Sequence, residues 1–174
     1  MAEPAGWTTS ERLHRNGTTD SEQRAVVAEP VVPHTPAGAA RLGAVYWQEV
    51  ERFTRGVVRP APGETAVVLL VAGTRLALLR FGPPERTASA DRVGLRYPIA
   101  GGLLARRAGG TIALSQARGA PVELRSAIAG FAPRLGARPA APAWTGRLYT
   151  AVQARIHVAI SRRYFARLVR EAAR

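Results

Sequence analysis

The C-terminal part of the chain, residues 144–172, carries apolar side chains at an unbroken spacing of four. These side chains are Leu148, Val152, Ile156, Ile160, Tyr164 and Leu168. The spacing predicts one long α-helix with a single apolar stripe. Since an α-helix has about 3.6 residues per turn, a row at a spacing of four winds slowly around the helix axis. We expect such a helix to lie obliquely across a twisted β-sheet.

Upstream of this helix, short apolar runs follow one another with little sequence between them. The runs are Thr65–Val71, Arg75–Phe81, Val93–Ile99, Thr111–Ser115 and Val122–Ile128. Apolar residues at every second position are typical of a half-buried strand. The breaks are glycine-rich and leave no room for crossover helices, which predicts antiparallel pairing. The sequence therefore predicts an α+β fold, in which an antiparallel β-meander grips the long C-terminal helix.

The other segments complete this layout. Residues 1–24 are polar and show no period, which predicts a disordered leader before a single domain at residues 25–174. The apolar segment Ala25–Pro33 is interpreted as an edge strand, because its prolines cannot occupy a central strand. Within the domain, the pattern predicts a helix at 36–54, strands within 56–131, a linker at 132–143 and the last helix at 144–172.

Composition excludes several classes of protein. The chain has 174 residues and no cysteine, which excludes disulfides, thiol nucleophiles and cysteine-ligated zinc. No window approaches the roughly 20 apolar residues that a membrane span requires, and the N-terminus lacks the pattern of a signal peptide. We therefore expect a cytoplasmic protein. The carboxylates are scattered, so the sequence predicts no catalytic residue, no metal site and no cofactor.

Positive charge is the strongest compositional signal. The formal net charge is +13, and all of the basic residues are arginine. Such a surface attracts phosphates, nucleic acid or anionic membrane, although a coding bias toward arginine accounts for part of the excess. Two arginine pairs are candidate anion-binding residues, one before a glycine-rich turn and one on the last helix: Arg106, Arg107, Arg163 and Arg167.

One histidine bears on catalysis. His157 lies in the last helix and is the one group of the predicted fold that titrates near neutral pH. A partly buried histidine with satisfied hydrogen bonds is the favoured interpretation. An enzyme that uses His157 for acid–base chemistry is the alternative.

Local motifs add a family resemblance. The first motif is Gly130-Phe131-Ala132-Pro133-Arg134-Leu135, which is followed by Gly146-Arg147-Leu148-Tyr149 and His157. Two further stretches contribute to the resemblance, Leu79–Glu85 and Tyr97–Leu104. With the order of elements, these motifs resemble the START-like, or SRPBCC, helix-grip superfamily, in an uncharacterised actinobacterial branch. The resemblance implies an apolar cavity between the sheet and the C-terminal helix. It also implies a minority of cyclases and hydrolases, whose catalytic motifs have no match in this chain.

Three functions follow as hypotheses. The first is the binding of a hydrophobic small molecule (a lipid, polyketide or aromatic compound) in that cavity. Its expected lining is Tyr97, Ile99, Tyr149, Val152, Ile156, His157, Ile160 and Tyr164. The second is an arginine-driven binder of nucleic acid or anionic membrane, and the third is a cyclase-type or hydrolase-type enzyme. The apolar run Ala66–Val71 suggests a strand covered on both faces, by the first helix or by a second subunit in a homodimer.

Overall fold

The computed structural model describes residues 6–62, 67–134 and 143–173, and for residues 62, 67 and 143–154 it describes the backbone alone. The described chain has an α+β fold, as predicted. The strands are β1 (Gly6–Leu13), β2 (Thr19–Val27), β3 (Val58–Pro62), β4 (Val67–Val71), β5 (Ala77–Phe81), β6 (Glu85–Ala88), β7 (Arg92–Gly101), β8 (Thr111–Ala117) and β9 (Val122–Phe131). The helices are α1 (Pro36–Phe53) and α2 (Ala143–Ala172).

The strands form one antiparallel sheet in the order β1-β2-β9-β8-β7-β5-β4-β3, and β6 pairs with β7 beside this path. From β3 onward the strands follow a meander, and β2 joins its last strand, β9. Helix α1 packs against β7 and β3, while α2 packs against α1 and β2. The predicted antiparallel meander with a long C-terminal helix is confirmed, in a helix-grip layout.

The prediction of a disordered leader at residues 1–24 is wrong for the described part. Strands β1 and β2 form a hairpin from Gly6 to Val27. Most side chains of β1 are exposed, so its sequence shows no apolar alternation. Pairing with β9 holds the hairpin, and the Asp20 carboxylate accepts a hydrogen bond of 2.7 Å from the Gly130 amide. That bond, together with lesser contributions from His14, lowers the pKa of Asp20.

The edge-strand interpretation of Ala25–Pro33 is also wrong. Strand β2 begins at Thr19 and has a neighbour on each side, β1 and β9. Pro30 and Pro33 lie beyond its last residue, Val27, so they remove no hydrogen bond from the sheet. Of the predicted linker, residues 135–142 lie outside the described residues.

Strand β4 is only half covered. Leu69 is buried, but Val68, Leu70 and Val71 are partly exposed. The prediction of a strand buried on both faces is therefore wrong for these residues of a single chain. A homodimer that would cover the second face stays a prediction.

Helix α1 begins at a Thr35 cap whose hydroxyl accepts a hydrogen bond from the Gly38 amide at 3.2 Å. It lies so close to the sheet that a Cβ on Gly43 would be 2.4 Å from both Leu95 Cδ2 and the Tyr97 hydroxyl. A glycine at this position lets α1 approach β7 closely.

Candidate functional site

The predicted cavity-lining residues do not share one environment. Tyr97, Ile99, His157, Ile160 and Tyr164 are buried. Ile156 is 42% exposed and lies outside this buried set, so its place in a cavity lining stays a prediction. The side chains of Tyr149 and Val152 lie outside the described residues.

Aromatic side chains fill the described interior between α1 and the sheet. Tyr46 contacts Tyr164 edge-on, with ring centroids 5.5 Å apart, and Trp47 lies 5.1 Å from Tyr46, Phe81 and Tyr97. Edge-on pairs at such distances stabilise a core beyond the effect of their buried area. Tyr97 and Tyr164 thus act as core side chains in this part of the molecule.

A closed ring of polar side chains lies between α2 and strands β2 and β9. His157 Nδ1 is 3.2 Å from Ser21 Oγ, and its Nε2 is 3.4 Å from Ser126 Oγ. Ser161 Oγ lies 3.1 Å from Ser126 Oγ and 3.3 Å from Gln23 Oε1, while Gln23 Nε2 donates to Ser21 Oγ at 2.9 Å. All of these residues except the half-buried Ser21 are fully buried. The ring links α2 to the sheet through hydrogen bonds between uncharged side chains.

The environment of His157 keeps its imidazole neutral. Burial lowers the pKa of His157 to about 4, because a charged ring would lose its hydration without gaining a carboxylate partner. Its hydrogen-bond partners are hydroxyl groups. This arrangement suits a structural histidine better than the acid–base role of the enzyme hypothesis.

The second polar site is an open groove between α1 and α2, which we call the arginine groove. Its volume is about 400 Å³, and its lining residues are Glu49, Arg52, Arg162, Arg163, Ala166 and Arg170. Four of the six residues are therefore arginines, and one is an acid. The groove is formed where the end of α1 passes the second half of α2.

The single carboxylate of the groove is already paired. Glu49 is buried, and its Oε1 lies 3.3 Å from Arg52 Nη1 and 3.1 Å from Arg167 Nη1. Arg167 also donates to Glu171 at 2.6 Å and to Gln48 at 2.5 Å. The guanidinium of Arg167 is thus occupied by protein acceptors. Its predicted role in anion binding has no geometric support, although it positions Glu49.

Arg162 and Arg163 are held by aromatic rings. Arg162 Cζ lies 5.2 Å from the centroid of the Trp7 ring, and Arg163 Cζ lies 5.9 Å from that of Phe53. Neither arginine has a carboxylate partner among the residues that the structure describes. Cation–π contact orients a guanidinium without neutralising its charge. Both groups therefore keep hydrogen-bond donors for a ligand in the groove.

The other predicted anion-binding pair lies elsewhere. Arg106 and Arg107 are exposed in the connection after β7, and Arg106 Nη2 donates to the Asn16 carbonyl at 3.2 Å. These two residues are not part of the groove lining. Their role in anion binding stays a prediction.

Sequence reasoning identified only Arg163 of the groove arginines. Arg52, Arg162 and Arg170 were missed because the meeting of α1 and α2 is not visible in either helix alone. The spacing of Glu49 and Arg52 at i and i+3 was an available signal for part of the site. The ring partners Gln23 and Ser126 gave no signal, since their contact depends on strand register. Ser161 lies one helical turn after His157, so its spacing was visible in the sequence.

No family model, curated protein or solved structure matches this chain. The resemblance to the helix-grip superfamily stays a prediction. In the described part of the chain, no helix is long and apolar enough to cross a membrane. The same residues contain no cluster of histidine and carboxylate side chains suited to a metal ion.

Proposed function

We propose that this protein binds a small anionic molecule in the arginine groove. The observation that carries the proposal is that four arginines line one groove whose only carboxylate, Glu49, is already paired. Positive groups that outnumber the protein carboxylates beside them form a favourable site for an anion.

The energetics favour a specific site over a diffuse positive surface. A hydrogen bond to a charged group contributes about 1.5–3 kcal/mol when both partners are well placed. Exposed ion pairs contribute less because the long side chains lose conformational entropy. In the groove, the rings of Trp7 and Phe53 already restrict Arg162 and Arg163. The ligand therefore meets arginines that are partly ordered in advance.

The size of the groove suits a compact ligand. A volume of about 400 Å³ lies toward the lower end of the range for small-molecule sites, roughly 300–1,000 Å³. This size favours a compact anion over a nucleic acid or a membrane surface as the primary ligand.

The test is a thermal-shift titration with inorganic phosphate and citrate, repeated for three variants. Ligand that binds only the folded state raises its stability in proportion to the logarithm of one plus the ratio of ligand concentration to Kd. We expect stabilisation of the wild type and a loss of about 10-fold in affinity for Arg163→Gln and Arg170→Gln. Arg80→Gln is the control, since Arg80 is exposed on β5 outside the groove. Equal responses of all four proteins would contradict the proposal.

A second candidate is the binding of a hydrophobic small molecule between the sheet and α2. The order of strands, with a long C-terminal helix packed on the sheet, supports it. Organic extraction of the purified protein followed by mass spectrometry tests the idea. An extract with no stoichiometric apolar compound, together with no thermal shift from added fatty acids, would count against it.

A further inference from the structure

We propose that the arginine groove is a two-point phosphate site, which takes a small ligand carrying two phosphate groups. This inference rests on the proposed function and adds the class of ligand. In this proposal, the guanidinium groups of Arg162 and Arg163 are the two points, and each binds one of the two phosphate groups. Trp7 and Phe53 are the positioning residues that hold them.

The two arginines contact aromatic rings on two different elements. Consecutive residues on an α-helix are separated by about 100° around its axis. The Arg162 guanidinium lies over Trp7, which belongs to β1, whereas the Arg163 guanidinium lies over Phe53, the last residue of α1. Two different elements, β1 and α1, therefore fix two separate positive groups.

The contacts of these arginines suit phosphate. A guanidinium that lies over a ring uses its face, so its N–H edge can still donate two parallel hydrogen bonds to phosphate oxygens. Arg52 and Arg170 line the same groove and add positive charge. A single carboxylate on a ligand could occupy only one of the two points. Two phosphate groups occupy both and neutralise more of the charge.

Trp7 is itself held firmly. Its indole Nε1 donates to Thr9 Oγ1 at 3.1 Å, and its ring meets Phe165 edge-on at 5.5 Å. The ring therefore bridges the N-terminal hairpin and α2. This contact gives the hairpin a part in ligand binding, because it determines where the Arg162 guanidinium lies.

Calorimetric titrations with inorganic pyrophosphate and orthophosphate test the proposal at one fixed salt concentration. For the wild type we expect pyrophosphate to bind at least about 10-fold more tightly than orthophosphate. Arg162→Gln and Arg163→Gln should each remove most of this preference, while Arg80→Gln should keep it. Equal affinity of the wild type for the two anions would overturn the two-point site but leave the proposed function standing. No binding of either anion, or of vesicles that contain phosphatidylinositol bisphosphate, would overturn both.

The role of Trp7 has its own readout. Trp7→Leu should weaken pyrophosphate binding about 3- to 10-fold, whereas Trp7→Phe should retain most of it, because a phenyl ring still supports the cation–π contact. In NMR spectra without ligand, the Arg162 Nε–H signal should lose its ring-current shift in Trp7→Leu. An unchanged Arg162 signal in a folded Trp7→Leu protein would refute the positioning role, whatever the result with pyrophosphate.

Two further titrations identify the source of the phosphates. Vesicles of phosphatidylcholine with phosphatidylinositol bisphosphate present two phosphates on a lipid headgroup, and vesicles with phosphatidylserine are the control. Arg163-dependent binding to the first vesicles alone supports a lipid source, and tighter binding of free pyrophosphate supports a soluble ligand. A single-stranded oligonucleotide that binds more tightly than either, with equal losses in Arg163→Gln and Arg80→Gln, would overturn the inference in favour of diffuse nucleic-acid binding.

Discussion

Glu49 determines how the arginine groove is charged. Its buried carboxylate holds Arg52 and Arg167 at 3.3 and 3.1 Å, and it is the one acid in the lining. A buried carboxylate is stable only while such partners remain. The same charge repels any anion that enters the groove. Glu49 therefore stabilises the meeting of the two helices at a cost to ligand affinity.

Replacing Glu49 should therefore change the stability of the protein and its affinity for an anion in opposite directions. Glu49→Gln should lower the free energy of unfolding by about 2 kcal/mol, since Arg167 loses one of its two carboxylate partners. It should also tighten the binding of pyrophosphate, because the repulsion disappears. Urea denaturation and calorimetry measure the two effects. Glu51→Gln is the matched control on the exposed side of α1, where the Arg59 pair is 3.9 Å apart. Weaker pyrophosphate binding by Glu49→Gln would argue against the groove as the site.

His157 gives a prediction about pH. Its pKa is about 4 in the folded protein against 6.5 for a free histidine, so between these values the unfolded chain binds a proton that the folded chain does not. The free energy of unfolding should therefore fall as pH falls from 6.5 to 4, by about 3 kcal/mol in all. Above pH 6.5 this histidine should have no effect.

The difference between the wild type and His157→Gln isolates this effect, because His14 and His34 are present in both proteins. Urea denaturation at several pH values from 7.5 to 4 provides the measurement. We expect the wild type to lose stability more steeply than the variant as the solution is acidified. Parallel curves over the whole range would show that His157 titrates normally.

At the scale of elements, spacing along the sequence predicted most of the structure. The helices predicted at 36–54 and 144–172 are present as Pro36–Phe53 and Ala143–Ala172. Both could be predicted because apolar residues recur along each of them at a helical spacing. Strands with one buried face, such as β8, were also predicted. The exposed strands β1 and β6 were not, since solvated side chains on both faces leave no alternation.

Gln116 shows how an element is anchored by a residue that the sequence did not single out. It is fully buried on β8, and its Oε1 accepts hydrogen bonds from the Val31 and Val32 amides at 2.8 and 3.1 Å. Its Nε2 donates to the Val32 carbonyl at 2.8 Å. One side chain thus satisfies three backbone groups in the connection between β2 and α1.

Gln116→Leu should therefore lower the free energy of unfolding by about 3 kcal/mol, because buried backbone groups lose their partners. Amide hydrogen exchange should quicken at Val31 and Val32, as these amides lose their acceptor. The control is Ser115→Ala on the same strand, where only a half-buried hydroxyl is removed. Unchanged exchange at Val31 and Val32 in the folded Gln116→Leu protein would contradict this account of the connection.

At the scale of the whole molecule, charge and topology act together. The net charge of +13 alone could not locate a site, because arginines occur throughout the chain. The fold brings the end of α1, the second half of α2 and the N-terminal hairpin to one place. Arg163 could be selected because helical spacing puts it nearly in line with Ile156 and Ile160 on α2. Arg52, Arg162 and Trp7 could not, since their contacts join segments far apart in sequence.

The central claim is that an anion binds among the groove arginines, and the most direct test is an NMR titration of arginine Nε–H signals with inorganic pyrophosphate. We predict saturable shifts at Arg52, Arg162, Arg163 and Arg170 with one common Kd, and little change at Arg106 and Arg107. Shifts that do not saturate, or that are as large at Arg106 and Arg107 as in the groove, would contradict the claim.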